Sequence, residues 1–252
     1  MSSATTPTPA ADTAPRFLPV GDAALAVEFG DRIHPVTNAR VIALAEALRH
    51  APVEGVTETV PTFRSLLIHY DPLRCDHAEL TGRLHLLLAG LHLRVQPGRR
   101  VTIPACYEGD LAPDLAEVAA LTGLTAEQVV RLHAATEYQV YMLGFLPGFP
   151  YMGLLPEELR LPRLTTPRVH VPPRALAIAN AMTAIYPLAS PGGWRLIGTV
   201  PVELFAIDAD PPARLRPGDH VRFQPVDRGS FETMRAVWRA GEGRLGIVEQ
   251  TA

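Results

Sequence analysis

The chain has 252 residues, 47 % hydrophobic and 19 % charged, with a formal net charge of -3; it reads as one large globular domain or two small ones and offers nucleic acid no broad basic surface. No run approaches the roughly 18 apolar residues of a membrane span, and the opening MSSATTPTPAADTAP lacks the basic and apolar parts of a secretory signal, so a cytoplasmic chain with a disordered tail over residues 1–16 is expected. All 23 basic residues are Arg, and without Lys the chain carries no Walker A phosphate loop, no Schiff base and no biotinyl site.

Along the chain, AALAVEFG (23–30) is strand-like and stopped by glycine. Val41, Leu44, Ala45 and Leu48 then recur at helical spacing, with Pro35 suited to a first turn. GVTETV and RSLLIHYD read as two strands joined by a turn. Asp76 can cap the next helix, whose apolar stripe is Leu80, Leu84, Leu87, Leu88 and Leu91. RRVTIPACY closes the series as a strand. This β-α-β-β-α-β order is the split βαβ, ferredoxin-like arrangement, and it places a ferredoxin-like α/β domain over residues 17–100.

Two short helices follow. PDLAEVAALTG ends at Gly123, and TAEQVVRLHAAT opens on a Thr125–Gln128 capping box. From Tyr138 onward, short β-prone runs broken by Pro and Gly predict an all-β barrel, so residues 101–252 form a barrel domain with a helical insert. The expected fold class is α+β. Cys75 and Cys106 sit in no CxxC or CxxH spacing and are expected to be reduced and buried. His85 and His92 share a helix face but stand two turns apart, about 10 Å, too far for one ion to bridge directly; no metal site is expected.

The segments GDAALAVEFGDRI, VPTFRSLLIHYDP, GLTAEQVVRLHAATEYQVYMLGFLPGFPYMG, TPRVHVP, IYPLASPGGWRLIGTVPVELF and PGDHVRF together resemble the family of the 5-oxoprolinase B subunit, also called the KipI family or allophanate hydrolase subunit 1. The resemblance runs from about Phe17 to Phe223. It implies an N-terminal α/β domain and a cyclophilin-like β-barrel. It further implies that the chain acts with two partners, the cyclophilin-like C subunit and the A subunit of 5-oxoprolinase, to open 5-oxo-L-proline to L-glutamate. ATP would be used by the assembled complex, and the chain itself would hold no cofactor and be inactive alone. Two alternatives stay open: a KipI-like inhibitor docking on a sensor histidine kinase, or subunit 1 of an allophanate hydrolase or urea carboxylase-type system. One stretch departs from the family. Where relatives commonly read close to VPAGSVGIAGGQTGIYP, this chain has VPPRALAIANAMTAIYP (171–187), with Arg174, Asn180, Ala181, Met182 and Ala184 replacing Gly or Gln.

Candidate site residues cluster in the barrel half. In GFLPGFPYMG (144–153), Gly144 and Gly148 permit unusual dihedrals and the prolines stiffen the backbone. Phe145, Phe149 and Tyr151 can then wall a cleft or a partner-binding surface at the barrel rim, with Phe149 and Tyr151 the exposed pair; one or two of these rings can equally plug the core. Arg168 can fork onto a carboxylate, or form a surface ion pair. Tyr186 and Trp194 can present a hydroxyl and an indole N–H to a ligand, or pack at the rim. Gly192 and Gly193 can bring backbone N–H groups near an anion, or form a tight turn. Ser190 joins them as a substrate-binding candidate, although no GxSxG elbow surrounds it. His133 with Glu137 one turn on is the acid/base candidate, or helix-surface filler.

Overall fold

The structure, a computed structural model, describes residues 14–91 and 98–248. Contacts divide the chain into two compact units, residues 1–95 and 96–252. The expected tail over residues 1–16 lies almost wholly outside the described residues, and so does His92. No described helix is long and apolar enough to cross a membrane.

The first unit contains β1 (Arg16–Pro19), β2 (Ala24–Glu28), α1 (Pro35–His50), β3 (Val56–Pro61), β4 (Ser65–Tyr70) and α2 (His77–Ala89). Its four strands form an antiparallel sheet in the order β1-β2-β4-β3. Pro35 opens α1, where its missing N–H costs nothing, and Val41, Leu44 and Leu48 face inward as the spacing requires. Asn38, which the apolar pattern does not reveal, is fully buried on the same face and donates to the Thr62 carbonyl at 2.9 Å. Asp76 caps α2 by accepting from Glu79 N at 2.8 Å, and Leu80 and Leu84 are its buried pair.

The expected closing strand is a correction. β5 (Arg100–Ala105) does not join this sheet but lies in the second unit, and β1 occupies the edge beside β2 instead. The reason is its alternation: Val101, Ile103 and Ala105 point into the second unit's core, and a strand commits its whole apolar face to one partner.

The second unit adds α3 (Leu115–Thr122), α4 (Ala126–Ala135), β6 (Glu137–Leu143), β7 (Pro150–Gly153), β8 (Arg168–Val171), β9 (Ala175–Ala179), β10 (Met182–Ile185), β11 (Ser190–Gly192), β12 (Arg195–Thr199), β13 (His220–Pro225), α5 (Arg228–Arg239) and β14 (Gly246–Val248). Eight strands make one sheet in the order β12-β9-β10-β7-β6-β13-β5-β14, with β11 and β8 as a separate ribbon. The large sheet is a curled half-barrel. A bridge in which Cys106 and Thr199 exchange two backbone hydrogen bonds of 2.9 Å ties the chain just past β5 to the end of β12.

The fold is thus mixed α/β, and one helix of the second unit lies outside the expected run of strands. β13 and β5 pair in parallel, with most of the unit as their connection instead of one crossover helix. Residues 228–239 form a helix, capped by Asp227, that buries Phe231, Arg235 and Trp238 at i, i+4 and i+7. That spacing is legible in the sequence once the Asp227 cap is noticed.

Candidate functional site

The stretch 144–153 is a hairpin whose second arm is β7. Gly144 N donates to the Phe149 carbonyl at 3.1 Å and Phe149 N to the Leu146 carbonyl at 3.0 Å, closing a tight loop. Gly148 has φ +74, and a Cβ there would stand 3.0 Å from the Phe205 Cβ, so glycine is needed for both conformation and space. The exposed ring is Phe145, at 62 %, held at φ +69. Phe149 is only 1 % exposed, which reverses the expectation that it faces outward; Tyr151 is half-buried.

Phe149 is the hub of an aromatic cluster. Its ring centroid lies 5.0 Å from Tyr151, 5.1 Å from Tyr186, 5.5 Å from Phe145 and 5.9 Å from Trp194, each pair edge to face. Such a geometry sets the positive edge of one ring against the negative face of the next, worth about 0.5–1.5 kcal/mol per pair beyond burial. Tyr186 is 1 % exposed, and burial pushes its hydroxyl pKa up. A Cβ at Gly192 would overlap that hydroxyl, so Gly192 is explained by packing. The Gly193 carbonyl accepts from Leu164 N at 2.7 Å, which joins the 162–164 segment to the β11–β12 connection. Trp194 is also buried. Ser190 Oγ is buried and has no hydrogen-bond partner among the described residues.

Arg168 is already engaged. Its guanidinium pairs with the Asp114 carboxylate and reaches the Trp194 carbonyl at 3.4 Å. Asp114 also accepts from Leu196 N at 2.6 Å, while its own N–H donates to the Leu196 carbonyl at 2.9 Å. The sequence conceals this partner because Asp114 reads there only as the start of α3. The cation standing over the cluster is instead Arg163, 5.8 Å from the Trp194 ring centroid.

His133 and Glu137 do not meet. α4 ends between them, Thr136 is extended, and the one-turn spacing is lost at the helix-to-strand junction. Glu137 lies 3.5 Å from Arg100 and from His220. His133 is fully buried, neither surface filler nor an accessible acid or base, and burial drives its pKa down to about 3. Thr183 donates to the Ala177 carbonyl at 3.1 Å, so its oxygen accepts from His133 Nε2 at 2.9 Å, and Nδ1 accepts from the Tyr107 hydroxyl at 2.9 Å. This assigns the Nε2–H tautomer. The relay joins α4 to β10 and the strand end after β5.

A groove of about 1040 Å³, lined in part by Tyr107, Val130, Arg131 and Phe223, contains none of the site residues expected from sequence. Among the described residues no group of three or more His, Cys, Asp or Glu can hold a metal ion, and Cys75 and Cys106 are buried free thiols.

Residues 15–215 match the family model of the carboxyltransferase domain, subdomain C and D. The 5-oxoprolinase B subunit of Bacillus subtilis (strain 168) is 35 % identical over 230 residues, 86 % of this chain and 95 % of that protein. The 5-oxoprolinase B subunit of Escherichia coli O157:H7 is 39 % identical over 213 residues, 83 % of this chain and 95 % of its own length. The chain belongs to the 5-oxoprolinase B subunit family. A solved structure, TTHA0988, agrees with a TM-score of 0.73 at 42 % identity, covering 81 % of this chain and 40 % of that longer one.

Within the 5-oxoprolinase B subunit family, the departure over residues 171–187 is absorbed by the backbone. Arg174 has φ +71 and Asn180 φ +53, both in the left-handed region that glycine adopts freely. Asn tolerates that region well; Arg does so at a cost. Met182 is buried with its sulfur against Gly153, where a Cβ would stand 2.8 Å away. The stretch is apolar core, with Leu176, Ala177, Ile178, Ala184 and Ile185 at 0 % exposure.

Proposed function

We propose that this chain is the B subunit of an ATP-dependent 5-oxoprolinase in the cytoplasm, acting with the A and C subunits on 5-oxo-L-proline. The reaction adds water across the lactam C–N bond to give the amine and second carboxylate of L-glutamate. The observation that carries this reading is the similarity, at 35 % and 39 % identity over 86 % and 83 % of this chain, to two proteins named as the B subunit of 5-oxoprolinase. Similarity to a urea carboxylase is more distant, 22 % identity over 17 % of that protein's length.

The chemistry of the chain supports a contributory role. With no Lys it cannot build a Walker-type ATP site, and its buried histidine is neutral and engaged on both nitrogens. On this reading the chain is inactive alone, and the exposed Phe145 and half-buried Tyr151, backed by the buried Trp194, serve the assembled complex. A cyclophilin-like description of the second unit belongs to the same proposal. The test is to purify the chain alone and with the A and C subunits, and to follow ATP-dependent glutamate formation from 5-oxoproline. Turnover is expected only in the complex. Equal turnover by the isolated chain, or none by the complex, overturns the reading.

A further inference from the structure

We propose that Arg163, laid over Trp194 where the Tyr151 ring meets it, is the residue that takes the substrate's carboxylate in the assembled enzyme. The inference rests on the 5-oxoprolinase reading above and deepens it by naming a specificity-determining residue. It moves that role away from Arg168, whose fork already holds Asp114.

Three observations converge on Arg163. First, it is a cation without a mate: among the described residues no carboxylate lies within ion-pair distance of it, whereas Arg168 and Arg195, its neighbours in the same region, pair with Asp114 and Glu117. Second, its backbone is pinned on both sides. The Pro162 carbonyl accepts from Arg195 Nε at 3.4 Å, and Leu164 N donates to the Gly193 carbonyl at 2.7 Å. An exposed side chain on an anchored backbone keeps its position at less entropic cost than one on a free loop. Third, the guanidinium lies over the indole, 5.8 Å from its centroid. A guanidinium held over an aromatic face is attracted by the ring and keeps its N–H fork, which can receive a carboxylate with two parallel hydrogen bonds.

The surroundings suit a small ring that bears such a group. Tyr151 lies 5.9 Å from Trp194 and 5.0 Å from Phe149, and the exposed Phe145 ring lies 5.5 Å from Phe149. Of these rings Phe145 is exposed and Tyr151 half-buried, while Phe149 and Trp194 back them from the core, so a partly exposed aromatic surface stands in the same region as the positive charge. A five-membered lactam with a carboxylate on one carbon presents a flat apolar body and an anion at that scale. A carboxylate can also come from an acidic side chain of a partner protein, and the experiment must separate the two sources.

The test uses the complex reconstituted from all three subunits with Arg163→Ala in this chain. Loss of a hydrogen bond to a charged group predicts that KM for 5-oxoproline rises on the order of 10- to 100-fold, with kcat within about twofold of wild type. Inhibition by 2-pyrrolidinone, the same ring without the carboxylate, should be unchanged. Arg163→Lys, which keeps the charge and loses the fork, should fall between. An unchanged KM in an active complex overturns the assignment while leaving the 5-oxoprolinase reading intact. So does weakened assembly with an unchanged KM, which would give Arg163 to a partner's acidic side chain. A wild-type complex that does not open 5-oxoproline removes the reading and the inference together. Should the Ala variant not assemble, Arg163→Gln carries the same expectation and the same refuting result.

Discussion

The buried His133 makes this chain sensitive to acid in a way that can be worked out in advance. The imidazole is held neutral in the fold, with a pKa lowered by burial from 6.5 to about 3. In the unfolded chain it titrates at its ordinary value. Below pH 6.5 the unfolded state therefore binds a proton that the folded state refuses, and linkage favours unfolding. The contribution is fully present above 6.5, declines as pH falls, and stops declining near pH 3. Two units below the unfolded value, at about pH 4.5, the loss is about 3 kcal/mol, from roughly 1.4 kcal/mol per pKa unit. The comparison is denaturant unfolding of wild type and His133→Gln at about pH 7.5 and 4.5. Tryptophan emission is the readout, since both tryptophans, Trp194 and Trp238, lie in the second unit. At neutral pH the variant should be weaker by about 1–3 kcal/mol, because Tyr107 and Thr183 lose a well-placed partner. Between the two pH values wild type should lose about 3 kcal/mol more than the variant. Parallel losses in the two proteins would refute the account, since every other titrating group is common to both.

Three further outcomes follow from the packing and ion pairs. Gly192→Ala drives a methyl into the Tyr186 hydroxyl and to 2.8 and 2.9 Å from two of its ring carbons and should cost about 1–3 kcal/mol, the range for overpacking; Tyr186→Phe in the same chain should recover only part of it, because the ring carbons stay, and an unchanged thermal midpoint for Gly192→Ala would refute the packing account. Arg168→Ala strands the Asp114 carboxylate, whose side chain is 7 % exposed, and should cost about 3 kcal/mol. Adding Asp114→Asn removes the stranded charge and should restore part of that stability; an additive double variant would contradict the pairing. Arg174→Gly relieves a left-handed backbone at φ +71 and should raise stability by about 1 kcal/mol, whereas a loss in urea titration would show that the buried Arg174 stem contributes more than the backbone strain costs.

Much of the architecture follows from local pattern alone. The stripes Val41–Leu44–Leu48 and Leu80–Leu84, the Asp76 cap and the Thr125–Gln128 capping box form as their spacing dictates, because each is settled within a few turns of chain. The lysine-free composition excludes whole chemistries without any structure. What sequence could not supply are the partnerships between distant segments. β5 carries a strand pattern that either unit could have used, and only its pairing with β13 and β14 assigns it. Phe149 and Phe145 are the same residue type four positions apart, yet one is the hub of a buried cluster and the other faces solvent, because the hairpin turns between them. Arg168 and Arg163 read alike, each following a proline. Asp114, more than fifty residues earlier, accepts one, and the pinned 162–164 segment beside Trp194 presents the other. A side chain's type is local information, but whether its charge is spent or available depends on which remote group the fold brings within a few ångströms, where Coulomb and hydrogen-bond energies fall off steeply.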